Sequence, residues 1–146
     1  MKCEPVGVVR RSGVPREAEG REEVFKHSEE LMRSEAKIEI FEPFCEALEG
    51  LRKGSLVWVI WYAHLAEGRP VKVRPYRDPS MPELGVFATR SPARPCPLGL
   101  SLVYVTEVGN CYLKVKGLDA YDGTPVLDLK LYYEGLDSPR EVLSRV

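Results

Sequence analysis

The sequence has little of what the commoner catalytic centres are built from. Its 146 residues include only two histidines, His27 and His64, and four cysteines (Cys3, Cys45, Cys96, Cys111) with no C-x-x-C pair among them. A zinc site needs clustered, convergent ligands, so no metal is expected. The spacing leaves a disulfide open, but the default for an intracellular chain is free thiols. With two histidines, no Ser-His-Asp or Cys-His arrangement supports covalent hydrolysis. No G-x-G-x-x-G links a strand to a helix, which disfavours a Rossmann fold. No apolar run approaches the ~20 residues that cross a bilayer, and Arg10-Arg11 interrupts the apolar part of any secretory signal. The expectation is a cytoplasmic protein without a membrane partner. Repeats, low-complexity tracts and linkers are also missing, so residues 1–146 are expected to form one domain.

A large charge of one sign is absent too. The net charge is −1, which argues against non-specific binding of nucleic acid by the whole surface. The charge is nevertheless unevenly placed. Residues 17–50 carry eleven acids against four bases, a net −7, whereas residues 69–95 carry six bases against two acids, a net +4. A polyanion would be drawn to the second stretch and repelled by the first.

What is present reads as a β protein. PVGVVR (5–10) is a valine-rich strand, and KIEIF (37–41) alternates with period two. LVWVIWYAH (56–64) is apolar on both faces and reads as a buried strand. Residues 98–108 and 111–116 flank Gly109-Asn110, a two-residue hairpin signal, and 126–133 alternate again. In 98–108, Leu102, Tyr104 and Thr106 share one face, and Val103, Val105 and Glu107 the other. Apolar residues within 22–34 fit one face of a helix, and Pro43 opens a short helix over 44–51. About seven strands and one or two short helices, without β-α-β alternation, predict a mostly β fold: an antiparallel sheet closed into a barrel.

Two segments carry chemistry. GVFATRSPARPCPLGLS (85–101) places Arg90 and Arg94 among Pro92, Pro95 and Pro97. Proline removes backbone freedom, so the planar guanidinium forks are held ready for carboxylates or phosphates at reduced entropic cost. Incidental arginines on a stiff surface loop are the plainer alternative. KGLDAYDGTP (116–125) sets Asp119 and Asp122 in a turn after a strand, suited to holding ribose hydroxyls, balancing a cation, or capping the turn locally. His64 ends an apolar strand, where a packing role is commonest. Trp58, Trp61 and Tyr62 read as core, although one could stack on a base.

These two segments together resemble the TsaA-like (TrmO) family, whose motifs are G-V-F-A-T-R-S-P-x-R-P-N-P-I-G and L-D-x-x-D-G-T-P-x-x-D-I-K. PVGVVR, IEIFEPFCEALEGL and LVWVIWYAH resemble further segments of that family, so the resemblance runs along nearly the whole chain. Cys96 stands where the family has Asn, Leu98 where it usually has Ile, Leu56 where it has His, and Glu17 where it has Gln.

The resemblance implies a β-barrel homodimer that binds S-adenosyl-L-methionine near the subunit interface. It implies methylation of N6 of threonylcarbamoyladenosine at position 37, in the tRNA anticodon loop. Carried over by residue, the cofactor site would comprise Pro15, Arg16, His64, Leu65, Arg90, Leu100, Lys116, Gly117, Leu118 and Asp119. Asp122 and His64 are the candidates for the base that takes the N6 proton. Arg94, with Ser91 beside it, is the candidate for the substrate's carboxylate or a phosphate, and the acidic 17–50 stretch is expected to face away from tRNA. Two other readings follow from the departures: a cofactor-binding regulatory module, and a methyltransferase for another RNA or a small molecule.

Overall fold

The computed structural model describes every residue of the chain except 14 and 16. In chain order its elements are β1 (Gly7–Arg10), α1 (Arg21–Arg33), β2 (Ala36–Ile40), β3 (Leu56–Tyr62), β4 (Lys72–Val73), β5 (Leu84–Gly85), β6 (Leu98–Val108), β7 (Tyr112–Lys116), β8 (Pro125–Leu131), α2 (Glu134–Asp137) and α3 (Pro139–Leu143). Six strands close into an antiparallel barrel in the order β1-β2-β7-β6-β3-β8, and β8 returns to pair with β1. β4 and β5 make a separate two-stranded ribbon.

The barrel forms because β-branched residues recur at every second position and point inward. Val9, Ile38, Val57, Val59, Val103, Val105, Leu113, Val115 and Val126 are fully buried and pack as one cluster. A closed sheet leaves no edge strand in this layer.

Strict alternation would have driven Glu107 into that core. The register shifts between Val105 and Glu107, so that Val105 faces Val115, Glu107 faces Lys114 and Val108 faces Leu113. Thr106 is the extra residue of a β-bulge. Glu107 therefore points outward, where it accepts a hydrogen bond from Tyr112 Oη at 2.6 Å and pairs with Lys114 at 3.7 Å. Those contacts hold its carboxyl below the usual range, the Tyr112 bond foremost. The hairpin beyond turns one residue later than its Gly-Asn pair suggests: Gly109 N–H donates to Tyr112 C=O, leaving Asn110 and Cys111 at the tip.

Other expectations are also corrected. The helix foreseen over 44–51 is a 3-10 turn at Cys45–Leu48, which sets Leu48 into one mouth of the barrel. Cys45 and Cys111 are not free thiols but a disulfide, with Cα atoms 4.9 Å apart. It ties that plug to the β6–β7 hairpin across 66 residues of sequence. Closing a loop of that length stabilises the fold by about 4 kcal/mol through the unfolded state. Cys3 and Cys96 are unpaired and exposed.

The α1 helix buries no residue completely and lies against the outside of the barrel. Its entry is fixed by Gly20 N–H donating to Tyr76 C=O (2.8 Å), with the Phe25 ring tilted against that of Tyr76, centroids 5.3 Å apart. No helix among the described residues is long and apolar enough to cross a membrane.

Candidate functional site

The mouth opposite the disulfide gathers the ends of four segments that are far apart in sequence. Strand β3 runs into Ala63, whose N–H donates to Pro97 C=O at 2.8 Å, so the proline segment is fastened to the strand that ends at His64. Trp61 and Gly99 are opposite each other in the β3–β6 ladder. A Cβ on Gly99 would stand 2.1 Å from the Trp61 ring, so only glycine lets the indole lie flat across β6. The indole N–H then donates to Ser101 Oγ (3.0 Å), and that hydroxyl donates to Asp119 Oδ1 (3.1 Å). Trp61, Ser101 and Asp119 thus form a polar chain linking the proline-arginine segment to the Asp-Gly-Thr-Pro turn.

The turn approaches this closely because of Gly117. Its φ of 104° and its contact with Leu102, whose carbonyl oxygen would lie 2.9 Å from a Cβ, both require glycine. Gly117 N–H donates to Met32 C=O, and Gly123 N–H to Val9 C=O. The exposed His64 lies over the same turn, its Nε2 3.9 Å from where a Cβ on Gly123 would be. Asp122 accepts from Arg11 N–H at 3.0 Å.

The two motif arginines are used differently. Arg90 is exposed and donates through Nη2 to Leu100 C=O at 2.5 Å. Arg94 is half-buried and turned back on its own loop, with Nη1 donating to the carbonyls of Thr89 (3.3 Å) and Ser91 (3.1 Å) and Nη2 to that of Val86 (3.3 Å). Ser91 Oγ donates to Ala93 C=O. Arg94 and Ser91 therefore shape the loop, and Arg90 is the guanidinium that the loop presents.

Of the residues singled out from sequence, His64, Arg90, Leu100, Gly117, Leu118, Asp119 and Asp122 lie on elements that meet at this mouth. Leu118 is fully buried there, whereas Leu65 and Leu100 are exposed. Lys116, at the end of β7, is exposed and pairs with Tyr104. Pro15 is exposed, and Arg16 falls outside the described residues. The C-terminal part of α1, within the acidic 17–50 stretch, abuts the 117–122 turn, and His27 Nε2 is 2.8 Å from Tyr121 Oη. Among the described residues no cluster of three His, Cys, Asp or Glu side chains is placed to hold a metal ion.

Sequence reasoning missed Arg11, whose guanidinium donates to four acceptors at this mouth, and Ser101, which joins the two motifs. Arg11 stood out only as a charge breaking an apolar run. Ser101 lies at the end of the first motif with no signal of its own.

A six-stranded antiparallel barrel with a proline-arginine loop and an acidic turn meeting at one mouth defines a small β-barrel binding domain. The family model described as the tRNA-methyltransferase O N-terminal domain matches residues 10–138, and the chain belongs to that family. A Methanothermobacter thermautotrophicus protein named "Probable S-adenosyl-L-methionine-binding protein" is 42% identical over 143 residues, covering 94% of each chain. An S-adenosyl-L-methionine-binding protein of Archaeoglobus fulgidus is 32% identical over 142 residues, 94% of this chain and 93% of that one. The crystal structure of TrmO from Pseudomonas aeruginosa superposes with a TM-score of 0.70 at 31% identity. It aligns with 94% of this chain, which spans 58% of the TrmO chain.

Proposed function

We propose that this domain binds S-adenosyl-L-methionine at the open mouth of the barrel and transfers its methyl group to N6 of threonylcarbamoyladenosine in the tRNA anticodon loop. The observation that carries the reading is the Trp61–Ser101–Asp119 chain, which brings the two motif segments to one place. Membership of the TrmO family and relatives named for binding the cofactor support it.

The residues present fit such a ligand. Leu65 and Leu100 offer exposed apolar surface to a base, Asp119 offers a carboxylate to ribose hydroxyls or an ammonium, and Arg90 offers a fork to a carboxylate. When bound, the cofactor supplies an electrophilic methyl group on a sulfonium. The chain's part is to hold the acceptor nitrogen in line with that methyl, since orientation supplies much of the acceleration in a displacement of this kind. N6 belongs to a urea-like group and must lose a proton, and Asp122 or His64, both at the mouth, take it. Arg94 reads the threonyl carboxylate only by exchanging its long bonds to loop carbonyls for that contact, with Ser91 beside it. Pro15 and Arg16 also contribute to the cofactor site in this reading.

The domain works as a cytoplasmic homodimer in this reading. Leu98, Leu100, Leu102 and Tyr104 form an exposed apolar row on the outer face of β6, flanked by Leu56 on the adjoining β3. The row begins at the mouth that carries the site, so a second copy seated on it would adjoin the cofactor. A binding module without transferase activity is the second reading. It is favoured by the exposed Cys96, a poor hydrogen-bonding substitute for the family's Asn.

Calorimetric titration with S-adenosyl-L-methionine tests the site. Saturable binding by the wild type, weakened roughly tenfold or more in Arg90→Ala, as loss of a charge-assisted hydrogen bond predicts, is the expected result. No binding by the wild type, or equal binding by both proteins, contradicts it.

A further inference from the structure

Among the described residues, Arg11 makes more hydrogen bonds across the candidate site than any residue carried over from the family motifs. It follows directly on β1, whose ladders to β2 and β8 give it a fixed base. Its Nη1 donates to the carbonyls of Leu118 (2.6 Å) and Ala120 (3.0 Å). Its Nη2 donates to Leu31 C=O and Ser34 Oγ, both at 2.6 Å. Its backbone N–H donates to Asp122. One side chain therefore joins the C-terminal end of α1 to the turn between β7 and β8.

That turn is also held by Gly117 N–H to Met32 C=O, Gly123 N–H to Val9 C=O and the Ser101 hydroxyl to Asp119, but among the described residues only Arg11 reaches the carbonyls of Leu118 and Ala120. Residues 117–124 lie beyond the end of β7 and before β8, outside the barrel ladders. Leu118 and Ala120 are buried, so their carbonyls need donors from the protein. Arg11 supplies a donor to each. Burial lowers the Arg11 pKa, while the nearby Asp119 carboxylate opposes that shift, so the cation and the acidic turn stabilise one another. Among the described residues Arg11 Nε is buried without a hydrogen-bond partner.

We infer that Arg11 is the positioning residue of the cofactor site: its guanidinium fork sets the Leu118–Asp122 backbone, and with it the Asp119 carboxylate, against the barrel mouth. The inference rests on the proposed role of that turn in binding S-adenosyl-L-methionine. The requirement is for the fork and not for charge alone. A lysine at position 11 keeps the positive charge near Asp119, but its single ammonium has no planar pair of nitrogens to serve acceptors on two separate elements.

The test compares wild type, Arg11→Lys and Arg11→Met by calorimetric titration with S-adenosyl-L-methionine, fitting stoichiometry separately from Kd, with melting temperature measured in parallel. Arg11→Lys is expected to keep a cooperative melt and near-unit stoichiometry while its Kd rises roughly tenfold or more, and Arg11→Met to bind no better. Steady-state kinetics of Arg11→Lys should show the loss in the KM for the cofactor and not in kcat. A residue that only supported the fold would lower melting temperature or stoichiometry and leave Kd untouched, and that result overturns the inference. If wild type and Arg11→Lys bind equally well, the Arg11 inference falls and the site stands. If the wild type itself does not bind, the site reading falls and takes this inference with it.

Discussion

Gly99 shows how much the site depends on single atoms. The Trp61 indole occupies the volume that a side chain at position 99 would need, and its N–H begins the polar chain to Asp119. Gly99→Ala must displace either the ring or the β3–β6 ladder, an overpacking cost of about 1–3 kcal/mol. In a chain of this size that lowers the melting temperature by roughly 3–10 °C. Gly85, at the other end of the same motif, has nothing within 4 Å of a built Cβ, and its φ of −57° suits any residue. Gly85→Ala is expected to melt within a degree or two of wild type, as surface changes usually do. Thermal unfolding of the pair checks this: equal melting temperatures would mean that the indole is not held as described. A glycine in such a motif signals close backbone approach or a positive φ, and Gly99 makes the close approach; that the neighbour is a ring 38 residues earlier in the chain follows only from the fold.

At the scale of elements, the C-terminal helices are held to the barrel by one carboxylate. Asp137 accepts from Tyr133 N–H (2.8 Å) and from the Trp58 indole N–H (2.9 Å), and Tyr132 packs beside Trp58. The Tyr133 bond, then the Trp58 bond, hold the Asp137 pKa below its ordinary 3.8. With the folded-state value depressed, the contribution is complete above the ordinary carboxylate range. It is lost as pH falls through the folded-state pKa. Tryptophan emission of the wild type is therefore expected to stay constant from neutrality to about pH 4 and to shift only below it. Asp137→Ala should show the shifted emission already at neutral pH. Coincident titrations of the two proteins would show that Asp137 does not hold the strap.

The six barrel strands were legible because their inward positions are β-branched and spaced by two, a pattern carried locally. The Thr106 bulge was not, since the register of β6 is set by its pairing with β7. The β5 strand and the C-terminal helices, two to five residues each, are too short to show a period. The Cys45–Cys111 bond and the Arg11 fork join residues 66 and 107–109 positions apart, so closure of the barrel alone brings them together.

The whole molecule is a barrel with unlike ends. One mouth is plugged by the Cys45–Leu48 turn and fastened by the disulfide, so that end is committed to stability. The other mouth is crossed by glycine-dependent close approaches and a network of Arg11, Asp119, Ser101 and Trp61, and it presents Arg90, His64 and Leu100 outward. The methyl transfer proposed above belongs to that second mouth. Its most direct test is to incubate the purified domain with methyl-labelled S-adenosyl-L-methionine and two tRNA pools, one carrying threonylcarbamoyladenosine and one lacking it. The nucleosides are then resolved by mass spectrometry. Label is expected in threonylcarbamoyladenosine alone, as one added methyl group, and the pool lacking this nucleoside is expected to stay unlabelled. A domain that binds the cofactor yet labels no nucleoside, or labels both pools alike, contradicts the proposed transfer.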